Sequence, residues 1–81
     1  MKFNKDDFYK TSDLALAVVI SLFYPIEKVD KTDSGKAYFC FKRSEKLEQL
    51  IQNYWKQELK IEPQNYFNQL KIVKARLYAN E

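Results

Sequence analysis

The sequence predicts a small α+β domain in which an antiparallel β-hairpin packs with three helices, in the chain order α-β-β-α-α. Three observations predict it: a long apolar segment near the N-terminus, two short apolar segments around a turn, and two amphipathic segments after residue 44. The chain has 81 residues, so it forms one domain at most. We expect an N-terminal arm over residues 1–10 and a single α+β domain over residues 11–81.

The first helix is predicted in TSDLALAVVISLFY, residues 11–24. Ser12 is the predicted N-cap, and the Asp13 carboxylate complements the positive end of the helix dipole. Apolar residues lie on almost every side of this helix, which is typical of a helix that is buried on several sides. In so short a chain it is therefore the predicted central element, and Pro25 ends the helical region.

The hairpin is predicted from residues 25–31 and 36–42, which flank the turn sequence TDSG. Gly35, the only glycine, stands where a positive φ is most useful. The short connection makes the two strands antiparallel. Apolar residues of the first strand fall on both faces, so the pattern leaves the register open.

The second strand has side chains of low polarity on both faces. Phe39 and Phe41 share one face, and Tyr38 and Cys40 share the other, because side chains alternate along a strand. We expect the phenylalanine face to pack against the first helix.

Two further helices follow the hairpin. Ser44 is the predicted N-cap of the second helix, and Pro63 suits the first position of the third. The residues expected to face the core recur at helical spacing. They are Leu47, Leu50, Ile51 and Tyr54 in the second helix, with Trp55 at the edge, and Tyr66, Leu70, Val73 and Leu77 in the third.

Three segments carry a family resemblance: FYKTSDLALAVVISLF, KAYFCFKRSEKLEQLIQNYW and PQNYFNQLKIVKARLY. Together they resemble a small bacterial and phage-associated family, the domain of unknown function 5659, over roughly residues 8–78. The features that match are the TSD helix start, the aromatic strand followed by a Ser-capped helix, and the closing KARLY. The resemblance implies an order of elements and no known activity.

Composition disfavours catalysis. The chain contains no histidine and one cysteine, so it lacks the usual acid–base group of neutral pH and any cysteine cluster for zinc. No glycine-rich loop is present to hold a nucleotide phosphate, and each carboxylate has an ordinary local role. We expect no enzyme activity, cofactor or metal, and we interpret Cys40 as a small apolar residue. The lone cysteine, and an apolar run too short to cross a bilayer, predict a cytoplasmic protein.

Basic and aromatic residues suggest a partner. The formal net charge is +3, and cations interleaved with aromatic rings are typical of nucleic-acid surfaces. The candidates are Phe67, Lys71, Lys74 and Tyr78 on the third helix, and Lys28, Lys31 and Lys36 around the hairpin. The alternative is an ordinary solvated face, with the hairpin lysines protecting a strand edge from aggregation.

A second interpretation is a protein–protein adaptor or homodimer. Its predicted interface consists of apolar residues off the core stripes: Tyr38, Cys40, Trp55 and Ile72. Association of two copies, or docking to another protein, would bury this surface. The alternative is that the N-terminal arm covers it. We therefore expect a non-enzymatic binding module, with nucleic acid as the favoured partner and protein docking as the alternative.

Overall fold

A computed structural model describes residues 7–79 of the chain. The strands are β1 (Phe8–Thr11), β2 (Lys28–Lys31) and β3 (Ala37–Lys42), and the helices are α1 (Leu14–Ser21), α2 (Glu45–Trp55) and α3 (Pro63–Ala79). The strands form one antiparallel sheet in the order β1-β3-β2. The predicted α+β class is confirmed, as is the α-β-β-α-α order from α1 onwards.

The structure adds a strand that the sequence analysis placed in the N-terminal arm. Phe8 to Thr11 form β1, and Tyr9 pairs with Phe41 while Thr11 pairs with Phe39. The free edge of β3 supplies the hydrogen-bonding partner, and a four-residue strand has too few residues to reveal itself by alternation. The remainder of the predicted arm, residues 1–6 with Phe3, lies outside the described residues.

The start of α1 differs from the prediction. Asp13, and not Ser12, is the N-cap, because its Oδ1 accepts a hydrogen bond from the Leu16 N–H at 3.2 Å. Thr11 Oγ1 accepts from the Asp13 N–H at 3.0 Å and fixes the change of direction. Since Thr11 still belongs to β1, the helix can begin only after this turn.

The central position of α1 is confirmed. Its residues Leu16 to Ile20 are all buried, and they share one core cluster with Phe39 and Phe41 of β3. The phenylalanine face therefore packs where the alternation predicted. The core is completed from α2 and α3 by buried residues and by half-buried ones around them. These are Leu47, Leu50, Ile51, Tyr54, Tyr66, Leu70, Val73 and Leu77, which confirms both predicted core stripes.

Local signals decide where the other elements turn. Gly35 has a φ of 89°, in the region that favours glycine. Ser44 caps α2, since its Oγ accepts from the Leu47 N–H at 3.0 Å. Pro63 is the first residue of α3, and the Glu62 carboxylate accepts from the Asn65 N–H at 2.8 Å.

The end of α2 has an unusual residue in a common motif. Gln57 has a φ of 61°, and the Glu58 N–H donates to the Asn53 carbonyl at 3.0 Å. This pair of features defines a Schellman motif, whose left-handed position is usually glycine. The chain thus turns sharply into the connection that leads to α3. Between residues 7 and 79, none of the helices combines the length and apolarity that a membrane span requires.

Candidate nucleic-acid interface

The surface of α3 carries positive charge without a compensating acid. The helix, PQNYFNQLKIVKARLYA, contains Lys71, Lys74 and Arg76 and neither aspartate nor glutamate. One flank is tied to the rest of the fold: Arg76 donates to the Ile26 carbonyl at 2.8 Å, and Gln69 Nε2 donates to Ser21 Oγ at 3.0 Å. Arg76 is therefore an anchoring residue, and its side chain is exposed like those of the two lysines.

The opposite flank holds a line of four exposed side chains, which we call the basic–aromatic stripe: Phe67, Lys71, Lys74 and Tyr78. Their spacing of four, three and four residues places them within about 60° on the helix and spreads them over about 16 Å. Tyr78 is 62% exposed and Phe67 is 59% exposed, so neither ring widens the core stripe. The stripe is a surface available to a partner.

The stripe meets the hairpin at its C-terminal end. Tyr78 lines a cleft of about 480 Å³ together with Lys31 and Lys36 of the hairpin, and we call it the α3–hairpin cleft. The start of α1 contributes Ser12 and Leu14, and the apolar walls include Ala37, Phe39 and Leu77. Tyr78 therefore connects two basic groups that lie far apart in the sequence.

The two hairpin lysines occupy different places in this cleft. Lys31 pairs with Ala37, so it belongs to the face of the sheet that carries Phe39. The Lys36 ammonium lies 6.0 Å from the centre of the Tyr38 ring, which belongs to the opposite face. Lys31 is thus the cation of the cleft wall, whereas the charge of Lys36 is at the rim.

Lys28 is separated from this surface. It pairs with Cys40, which places it on the face of the sheet that points away from the core. Of the seven predicted nucleic-acid residues, Lys31, Lys36 and Tyr78 line the α3–hairpin cleft. Lys74, Lys71 and Phe67 follow Tyr78 back along the stripe, with Phe67 at its far end. Alternation along the strand already predicts that Lys28 and Lys31 lie on opposite faces, but only the pairing register decides which of them shares the face of Phe39.

The predicted protein interface is divided by the fold. Trp55 and Ile72 are 61% and 59% exposed but belong to different helices, and Tyr38 is half-buried. The sequence analysis expected Cys40 to be part of an exposed interface. This prediction is wrong, because Cys40 is fully buried. On this face of the sheet, Lys10 of β1 and Asp30 of β2 form an ion pair of 3.3 Å across β3, which lies between the two strands.

The environment of Cys40 also suppresses its reactivity. Both cross-strand partners of Cys40 are lysines, Lys10 and Lys28, whose stems lie on the same face. Burial raises the pKa of the Cys40 thiol, although the positive charge of Lys10 opposes that shift. A thiol with a raised pKa is a poor nucleophile.

An apolar groove that the sequence analysis missed lies at the connection between α2 and α3. It has a volume of about 440 Å³, and Val19, Tyr54, Leu59, Ile61, Tyr66 and Phe67 are among its lining residues. Burial raises the pKa of the Tyr54 hydroxyl above its ordinary value. The alternating apolar residues of LKIEP were a signal for this groove, but only the Schellman turn brings them beside α3.

In the part of the chain that the structure describes, no three His, Cys, Asp or Glu side chains come together as a metal site would require. The side chains that the basic–aromatic stripe and the α3–hairpin cleft present are lysines, aromatic rings and apolar residues.

These features define a class of protein: a small α+β domain whose cationic and aromatic side chains meet across one cleft. The chain belongs to the family described as Domain of unknown function (DUF5659), whose model matches residues 6–79. The match confirms the family that the sequence resembles. No curated protein and no solved structure matches the chain.

The burial of Cys40 leads to a prediction about its reactivity. In native protein at pH 8, we expect the thiol to react with Ellman's reagent at least about 10-fold more slowly than in unfolded protein, because labelling requires local opening. Lys10→Ala should raise the rate at which native protein is labelled. The substitution removes the Lys10 side chain, which pairs with Asp30 across the face of Cys40. Lys46→Ala on α2 is the matched control and should leave the rate unchanged. Equal rates for native and unfolded wild-type protein would show that Cys40 is accessible.

Proposed function

We propose that this domain is a non-enzymatic module that binds nucleic acid without sequence preference, through Lys31, Lys71, Lys74 and Tyr78. One observation carries the proposal: Tyr78 continues the basic–aromatic stripe and also lines the cleft that contains Lys31. A continuous surface of this kind suits a phosphate backbone, whereas scattered lysines would suit an ordinary solvated face.

The cations of this surface are available for phosphates. The ion pairs formed between residues 7 and 79 are Lys10–Asp30 and Arg43–Glu48, so no described carboxylate neutralises Lys31, Lys71 or Lys74. Lysine presents a compact charge without the fixed fork with which arginine reads a guanine edge. The proposed contacts are therefore with phosphates, which fix position and carry no sequence information.

We propose a binding function without catalysis, because the chain offers few of the side chains that catalysis commonly uses. The chain has no histidine, and its one cysteine is buried with a raised thiol pKa. A free cysteine is typical of a reducing compartment, and we place the protein in the cytoplasm as part of the same proposal.

Fluorescence anisotropy with labelled oligonucleotides tests the proposal. We expect a dissociation constant of roughly 10⁻⁴–10⁻⁶ M near physiological salt, as for other non-specific complexes, and tighter binding at 50 mM salt. Lys74→Gln should weaken binding to all sequences alike and reduce the slope of log K against log salt by roughly 0.7–0.9, the effect of one lost phosphate contact. Lys46→Gln is the matched control, since Lys46 lies on α2. The absence of binding at 50 mM salt and tens of micromolar protein, about where non-specific contact is expected, would overturn the proposal.

A second candidate function is self-association through Trp55. This ring is 61% exposed and stacks edge-on against Tyr54, which lines the apolar groove. Large rings beside apolar grooves are frequent anchors of interfaces. The sequence analysis placed this interface partly on the sheet face of Tyr38 and Cys40. Because Cys40 is buried, this candidate instead uses the apolar groove beside Trp55.

Sedimentation velocity at several concentrations tests the second candidate. A dimer anchored by Trp55 should give a sedimentation coefficient that rises with concentration, and Trp55→Ala should abolish the rise. Ile72→Ala serves as the control, because Ile72 is equally exposed but belongs to α3. A wild-type protein that remains monomeric up to about 1 mM, where even a weak association is populated, would exclude this candidate.

A further inference from the structure

We propose that the α3–hairpin cleft receives one unpaired nucleobase, and that the domain therefore prefers single-stranded to double-stranded nucleic acid. The inference rests on the proposed function and adds a specific occupant and a strand preference to it. It is carried by the shape of the cleft, its charge and the position of Tyr78.

The cleft has the size and the walls that a base requires. Its volume of about 480 Å³ falls within the range of clefts that take small organic ligands, about 300–1,000 Å³. Leu14, Phe39 and Leu77 give it apolar walls, and Tyr78 brings an exposed aromatic ring to it. A planar base can stack on such a ring irrespective of its identity, because every base presents a π-face.

The charge of the cleft selects an anionic occupant. Among the described residues that line it, the charged ones are Lys31 and Lys36, and both are cations. Asp13, which is adjacent to the cleft residues Ser12 and Leu14, uses its carboxylate to cap α1. An apolar compartment bordered by ammonium groups complements a base that is joined to phosphates.

The stripe gives the remainder of the strand a path. Lys74 lies one helical turn before Tyr78, so their Cβ atoms are about 5–6 Å apart. A base stacked on Tyr78 would place its neighbouring phosphate near Lys74, and Lys71 lies one turn further along α3. Lys31 approaches the same nucleotide from the hairpin wall. The cleft and the stripe therefore act on one strand.

A duplex cannot use the cleft in this way. Its bases are paired and stacked inside the helix, and the extrusion of one base carries a free-energy cost that opposes binding. Duplex binding would rely on phosphate contacts alone and would not involve the ring of Tyr78. Strand preference thus separates occupation of the cleft from attraction by the lysines.

The experiment compares a fluorescein-labelled 12-nucleotide oligo(dT) with a 12-base-pair duplex by anisotropy at 50 mM salt. We expect the wild type to bind the single strand more tightly. Tyr78→Ala should weaken single-strand binding by about 5- to 150-fold, the effect of losing one stacked base, with little change for the duplex. Tyr78→Phe should keep the preference. Phe23→Ala is the matched control, because Phe23 is 54% exposed and does not line the cleft.

A second variant separates the ring from the charge. Tyr78→Lys removes the stacking surface and adds a cation, so we expect it to retain overall affinity and lose the strand preference. Circular dichroism checks that each variant is folded. Equal wild-type affinities for the two oligonucleotides, or equal losses for both in Tyr78→Ala, would overturn the cleft proposal and leave the proposed function standing. Failure to bind either oligonucleotide would overturn both.

Discussion

The burial of α1 is the constraint on which the rest of the structure depends. Five consecutive residues, Leu16 to Ile20, are each at most 5% exposed, so this helix has no broad face that water can cover. A helix of this kind requires neighbours on several sides. The phenylalanine face of β3, the stripe of α2 and the stripe of α3 supply them. Burial of one aliphatic side chain contributes about 1.5–3 kcal/mol, which is large beside the few kcal/mol expected of so small a domain.

The position of the candidate interface follows from the way α3 packs against α1. One side of α3 buries Val73 against α1, and a neighbouring flank is held by Arg76 and Gln69 through their hydrogen bonds to Ile26 and Ser21. The remaining flank carries Lys71, Lys74 and the two aromatic residues beside them. The same packing brings Tyr78 to the hairpin, because the C-terminal end of α3 lies beside the start of α1. The α3 side of the proposed binding surface is therefore the part of this helix that core formation leaves unused, and Lys31 of the hairpin completes the surface.

Features set by neighbouring residues were predictable from the sequence. The turn at Gly35, the Ser44 cap and the start of α3 at Pro63 each depend on a few adjacent residues. Alternation in β3 and helical spacing in α2 and α3 were long enough to identify the core sides. The cap of α1 was misassigned by one residue because Ser12 and Asp13 are both good caps, and the extent of β1 decided between them.

Features set by distant residues were not predictable. β1 exists because β3 offers it an edge, and nothing within Phe8–Thr11 identifies that partner. Cys40 lies on the face of β3 that Lys10 and Asp30 cross; the sequence analysis predicted no strand at Lys10 and left open the register of the strand that carries Asp30. The candidate site was predicted only in part for the same reason. The spacing of residues along α3 predicted the basic–aromatic stripe. The contact of Tyr78 with the cleft of Lys31 depends on tertiary packing.

Amide hydrogen exchange by NMR tests most directly the claim that α1 organises the fold. If every other element is packed on this helix, the amides of Val18, Val19 and Ile20 can exchange only when the whole domain unfolds. Their free energies of opening should then equal the free energy of unfolding measured with urea, and they should exceed the values for β2 at the sheet edge. Exchange of the α1 amides at a lower free energy than those in the middle of α3 would show that α1 opens while the rest stays folded, and would contradict the account.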